Sequence, residues 1–151
     1  MDILVKKLSD KAVLPRRMSE GAAGFDLVAT DNGTFLASYD STVEYDTGIA
    51  VAIPDGYVGL LFPRSSISNS QWSLANSVGV IDSDYRGPIK LRFRYHGVKH
   101  GIEVTHDDVP YSVGDRIGQL VITPAPTVYF EEVDDLDDTT RAYGGFGSTD
   151  D

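Results

Sequence analysis

The sequence contains no cysteine, so disulfides and thiolate metal sites are excluded from whatever stabilises it. Its longest apolar runs fall far short of the roughly 20 residues that cross a bilayer, and Met1-Asp2-Ile3-Leu4-Val5-Lys6-Lys7 has no hydrophobic signal core. Positive charge is scarce: 13 Lys and Arg stand against 23 Asp and Glu, for a formal net charge of -10. Non-specific nucleic-acid binding draws its affinity from basic surface, so neither nucleic acid nor membrane is expected as a partner. A soluble cytoplasmic protein is expected, and the cytoplasm of a phage- or virus-infected host fits as well as any other. Helical periodicity is nearly absent, since no stretch keeps a 3.6-residue repeat beyond about two turns, although Ser65 to Gln71 suits one short helix.

What is present is alternation with period two between frequent glycines and prolines. Gly48 to Ile53 puts Ile49, Val51 and Ile53 on one face, and Ile89 to Tyr95 alternates apolar with basic residues. Further strands are predicted over Ile3 to Leu8, Thr42 to Asp46, Tyr57 to Phe62, Asn76 to Ile81, Ile102 to Val104, Arg116 to Ile122 and Thr127 to Glu132. Turns such as Asp31-Asn32-Gly33 and Pro54-Asp55-Gly56 separate them. Many short strands at this spacing predict an all-β, jelly-roll-like β-barrel. The 151 residues make one such domain, 1–133, followed by an acidic strap and glycine-rich tail, 134–151.

Four segments carry chemistry. In the tail, Arg141-Ala142-Tyr143-Gly144-Gly145-Phe146-Gly147-Ser148-Thr149 combines glycines, whose amides can converge on an anion, with an arginine for phosphate and a ring for stacking. A frayed polar terminus is the plain alternative. Pro63-Arg64-Ser65-Ser66 ends a strand and opens the possible helix, so an arginine, two hydroxyls and free amides can face a phosphate; a serine cap beside a solvated arginine is the alternative. Asn76 to Gly87 runs an apolar strand into Asp82-Ser83-Asp84-Tyr85, a carboxylate at a strand tip able to orient a water, or simply an Asx turn. Gly114 to Ile122 is a turn and strand that offers Gln119 as a donor, or a core strand and nothing more.

With Ala23-Gly24-Phe25-Asp26-Leu27, these segments resemble, in order, the five motifs of the trimeric dUTP nucleotidohydrolases, from about residue 20 to the end of the chain. The resemblance implies hydrolysis of dUTP to dUMP and pyrophosphate, which keeps uracil out of DNA and supplies dUMP for dTTP synthesis. It implies Asp82 as the base that activates water at the α-phosphate and Tyr85 as the ring beneath the sugar. Asn76 with Gly79, Val80 and Ile81 would read uracil, and Arg64, Ser65, Ser66 and Gln119 would hold the phosphates. Asp26 would orient Mg2+ through water, the metal being held mainly by the triphosphate. Arg141, Gly145, Gly147, Ser148 and Thr149 would close on the phosphate end while Phe146 covers the base. A homotrimer with exchanged tails is implied, so that Asp82 and the tail of one site come from different chains.

There are departures: Ser66 replaces a common glycine, Gly118 a common alanine, and Ala142 and Asp150 replace glycines of the last motif. The connection from Tyr95 to Pro110, with His96, His100 and His106, is longer than is usual, which makes the 96–110 loop a candidate surface for a protein partner; a histidine metal site and plain solvated histidines are the other readings. Two rival functions remain open. The dCTP deaminases share the fold and an Arg-Ser-Ser string, but would look for a glutamate where this chain has Arg92; a regulatory binding protein would keep the fold and use the loop.

Overall fold

The computed structural model describes residues 1–36, 41–97 and 104–143. Its strands are β1 (Leu4–Lys7), β2 (Phe25–Val28), β3 (Thr34–Phe35), β4 (Thr42–Asp46), β5 (Ile49–Ala52), β6 (Tyr57–Pro63), β7 (Trp72–Leu74), β8 (Gly79–Ile81), β9 (Lys90–Tyr95) and β10 (Arg116–Pro124). They form two antiparallel four-stranded sheets, β2-β10-β6-β8 and β3-β4-β9-β7, and a short ribbon of β1 with β5. This is the all-β, jelly-roll-like architecture expected. Among the described residues no helix is long and apolar enough to cross a membrane.

Alternation explains how the sheets close over one core. Leu91 and Phe93 of β9 point inward while Lys90, Arg92 and Arg94 face out, and Val43 and Tyr45 of the neighbouring β4 join the same interior. The opposite sheet contributes Leu27, Leu61, Ile81, Ile117 and Leu120, and β5 adds Ile49 and Val51, all within a single cluster. Tyr45 meets Phe93 and Tyr111 edge-on, at 6.0 Å and 5.9 Å between ring centres.

Several expectations are corrected. The helix at Ser65 is a 3-10 helix ending at Asn69, and a second 3-10 turn covers His106–Asp108. Gln71 leaves that turn, and Trp72 to Leu74 pairs with β9 instead. The strand from Asn76 is confined to Gly79–Ile81, because Ser77 takes a left-handed conformation (φ 61°) and bends the chain before pairing begins. Thr127 to Glu132 is no strand in the single chain: it finds no neighbour to pair with, and Tyr129 and Phe130 are 92% and 100% exposed. Of the strand expected at Ile102 to Val104, Val104 is outside any strand and the rest lies outside the described residues.

Candidate active site

The candidate phosphate-binding residues meet where β2, β10 and β6 run side by side. Gln119 of β10 pairs with Asp26 on one side and Phe62 on the other, so the three stand in one row across adjacent strands. A β-bulge between Arg116 and Gly118 sets this row. Arg116 is its hub: Nη1 donates to Asp26 Oδ2 at 2.9 Å, and the Arg116 carbonyl accepts from Arg64 Nη1 at 3.3 Å. Gln119 Nε2 donates to the Pro63 carbonyl at 3.4 Å. A Cβ on Gly24 would stand 2.5 Å from Gln119 Oε1, so a side chain there would push the Gln119 amide out of its place. Arg64 itself is extended (φ -76°, ψ 150°), and after it the chain turns at once into the 3-10 helix with Ser65 and Ser66 exposed.

Gly118 sits inside this row for a packing reason. A Cβ there would run into the Leu91 side chain and stand 2.9 Å from the Phe62 carbonyl oxygen, which leaves no room for alanine as the surroundings stand.

The second group is a hairpin. Gly79 and Ile81 are buried against β6 while Val80 between them is 61% exposed, pointing out of the sheet. The following turn closes with the Tyr85 amide donating to the Asp82 carbonyl at 3.2 Å, and Arg86 Nη1 donates to the carbonyls of Ser83 (2.6 Å) and Tyr85 (2.8 Å). Tyr85 Oη donates to the Pro88 carbonyl at 3.1 Å, and its ring lies so close over Gly87 that any Cβ there would collide with it. Asn76, Gly79, Val80, Ile81, Asp82 and Tyr85 line one cavity of about 690 Å³, bounded across β9 by Arg92 and Arg94.

The two groups do not meet within the chain. Ile81 pairs with Gly59, so Asp82 follows at the level of Val58, whereas Arg64 lies six residues farther along β6, about 20 Å at roughly 3.3 Å per residue. A general base works within about 3 Å of the water it deprotonates, and the phosphate grip must touch the same nucleotide. None of Asp26, Arg64, Ser65, Ser66 and Gln119 lines the hairpin's cavity. Arg141 is exposed on the strap side, and Gly145, Phe146, Gly147, Ser148 and Thr149 lie outside the described residues.

The sequence reading overlooked Arg116. Its partner Asp26 is 90 positions away, and only the Gly-Asp-Arg opening of the strand hinted at it.

Among the described residues no three His, Asp or Glu side chains converge as a metal site. His96 is hydrogen-bonded to Ser73 Oγ (2.6 Å), and His100 lies outside the described residues. Asp26 offers a single carboxylate, shared with Arg116. Mg2+ commonly keeps several waters and is held by one or two carboxylates plus substrate phosphates, so this donor set fits a metal that arrives on a triphosphate.

The dUTPase family model matches residues 10–150. The deoxyuridine 5'-triphosphate nucleotidohydrolase of Syntrophotalea carbinolica is 43% identical over 148 residues, 97% of this chain and 95% of the relative. Among solved structures, a mutant dUTPase of Staphylococcus bacteriophage 80alpha with dUpNHpp superposes with a TM-score of 0.83 at 27% identity, covering 98% of each chain. A mutant dUTPase from phage phi11 of S. aureus, whose structure details the coordination of a structural Mg(II) ion, gives a TM-score of 0.74 at 26% identity, covering 89% of this chain and 98% of that one. The match of the family model over residues 10–150, with a 43% identical relative covering 97% of the chain, identifies this chain as a member of the dUTPase family.

Proposed function

We propose that the protein hydrolyses dUTP to dUMP and pyrophosphate in a homotrimer whose active sites are each assembled from more than one subunit. The observation that carries the assembly is the separation of about 20 Å along β6 between Asp82 and Arg64. A neighbouring subunit that brings its hairpin to this chain's phosphate grip removes that distance. Exposed Val128, Tyr129, Phe130 and Leu136, outside any strand, support burial of the strap on a neighbour. The division into a barrel, 1–133, and a closing strap and tail, 134–151, belongs to the same proposal, with Arg141, Gly145, Phe146, Gly147, Ser148 and Thr149 acting on a neighbour's nucleotide.

In each site Asp82 takes the proton of a water that attacks the α-phosphate, and pyrophosphate leaves in line. Asn76 and the backbone of Gly79 to Ile81 read the uracil edge, and Tyr85, held over Gly87, fills the space a 2'-hydroxyl would need. Arg64, Ser65, Ser66 and Gln119 position the phosphates and offset their charge, Arg116 holding Arg64 and Asp26 in place. Asp26 would hold Mg2+ through water, and the metal, arriving with the triphosphate, would supply charge neutralisation at the phosphate oxygens. The reaction is assigned to the cytoplasm, of a host cell if the chain is a phage protein. A protein partner at the 96–110 loop is a separate proposal, motivated by its length.

Pyrophosphate release from dUTP, dCTP, dTTP and UTP with Mg2+ tests the reading. A strong preference for dUTP is expected; ammonia release from dCTP, or turnover of UTP equal to dUTP, would overturn it.

A further inference from the structure

The row of Phe62, Gln119 and Asp26 continues one residue further. β2 is the outermost strand of its sheet, and on its free edge Arg16 forms an isolated antiparallel bridge with Asp26, whose amide donates to the Arg16 carbonyl at 2.8 Å. Directly opposed residues of an antiparallel pair turn their side chains to the same face. Arg16 therefore stands on the face that carries Asp26 and Gln119, two strands and about 10 Å from Gln119 at the usual spacing of about 4.8 Å. Its neighbour points the other way: the Arg17 guanidinium lies over the Phe25 ring, 4.9 Å from its centre, and Phe25 alternates with Asp26 along β2. With Arg17 held on one side of the sheet, Arg16 is presented on the other.

The arginines of this face differ in what already occupies them. Arg116 is bound to Asp26 at 2.9 Å, and Arg64 gives a hydrogen bond to the Arg116 carbonyl at 3.3 Å. The Arg16 side chain is exposed and, among the described residues, makes no ion pair or hydrogen bond, so its donors are open. It does not neutralise Asp26, the one carboxylate of the row, which Arg116 takes. A solvated arginine is commonplace on any surface. This one is set by sheet register in line with the residues assigned to the phosphates, in a chain whose net charge is -10.

We propose that Arg16 is a further binding residue for the polyphosphate, its forked donors closing on non-bridging oxygens at the Asp26 end of the row. The contact is to the phosphates and not to base or sugar, which the hairpin handles. This inference rests on the function proposed above.

The test measures dUpNHpp affinity, inhibition by dUMP, the dUTP kinetic constants and the thermal midpoint for the full chain and for Arg16→Ala, Arg16→Lys and Arg16→Glu. Arg16→Ala should weaken dUpNHpp binding and raise KM about five- to twentyfold with kcat little changed, the lower end for hydrogen bonds to charged groups because the side chain is exposed. The loss should shrink as ionic strength rises. Inhibition by dUMP, which lacks the outer phosphates, and the thermal midpoint should stay as they are. Arg16→Lys should recover part of the affinity, having the charge without the fork, and Arg16→Glu should lose more than Arg16→Ala. Unchanged dUpNHpp affinity in Arg16→Ala and Arg16→Glu, or an equal loss for dUMP, would overturn the proposal alone, since the unaltered protein would still turn over dUTP. An unaltered protein that neither binds dUpNHpp nor hydrolyses dUTP would overturn both readings.

Discussion

The two halves of the candidate site are held in different ways. The phosphate half is stitched by long-range side-chain bonds across three strands, Arg116 to Asp26, Arg64 to Arg116 and Gln119 to Pro63, in partly buried surroundings. The hairpin half is held by local contacts, the Arg86 clamp and Tyr85 packed on Gly87, with Asp82 exposed at its tip. Groups that neutralise charge must be rigid before the substrate arrives, because reorganising them would consume the stabilisation they offer. On the proposed assembly, a base completed by another subunit would need only a well-formed turn. The halves should therefore fail differently when broken.

The largest effect is expected at the hairpin. Asp82→Asn keeps the shape of the turn but removes the proton acceptor, so kcat should fall by about 10²- to 10⁴-fold with dUpNHpp affinity nearly unchanged. Weaker analogue binding with unaltered kcat would reverse the roles of the two halves. Arg116→Ala should act in the opposite manner. Releasing Asp26 while keeping the main-chain carbonyl that Arg64 bonds, it should lower kcat/KM about 10- to 100-fold with much of the loss in KM, on the scale of one charged hydrogen bond. Tyr85→Ala should leave the phosphate half intact and relax the preference for dUTP over UTP by about tenfold or more, read as the ratio of kcat/KM values.

Two smaller effects concern the scaffold between the halves. Gly118→Ala should cost about 1–3 kcal/mol of stability in chemical denaturation, because the new methyl meets Leu91 and the Phe62 carbonyl in a strand that has little freedom to move. At the wall of the hairpin's cavity, burial raises the Glu44 pKa, but hydrogen bonds from Lys90 (2.7 Å) and Arg92 (2.8 Å) outweigh it and leave the carboxyl below its ordinary value of 4.5. A depressed folded-state pKa contributes stability above the unfolded value that is lost as pH falls through the folded one. Lys90 and Arg92 are 39% and 53% exposed, so the contribution should stay below about 1 kcal/mol. Glu44→Gln should accordingly flatten the fall of the thermal midpoint slightly below pH 4.5.

How much of this was legible depended on range. The alternation of Ile89 to Tyr95 and of Ile49 to Ile53 announced β9 and β5 because each residue's face is set by the pleat alone. Thr127 to Glu132 has the same local character and stays unpaired, since a strand needs a neighbour that no propensity supplies. Ser77 delays the start of a predicted strand through a single left-handed residue that is not a glycine. The candidate site was legible where it is local: Arg64-Ser65-Ser66 and Asp82 to Gly87 are continuous strings whose chemistry can be read from their order. Arg116 was not, because its importance comes from partners brought together by sheet register.

The central claim, that the halves of one site come from different subunits, is tested most directly by mixing two inactive chains. Asp82→Asn and Arg64→Ala variants, refolded together in equal amounts, form trimers in which an intact Arg64 from the first meets an intact Asp82 from the second. Random assembly completes about a quarter of the sites, so dUTP hydrolysis should return to about a quarter of the unmutated level. No activity above that of the separate variants, in mixed trimers verified by native mass spectrometry, would mean that Arg64 and Asp82 serve the same site from one chain and would contradict the account.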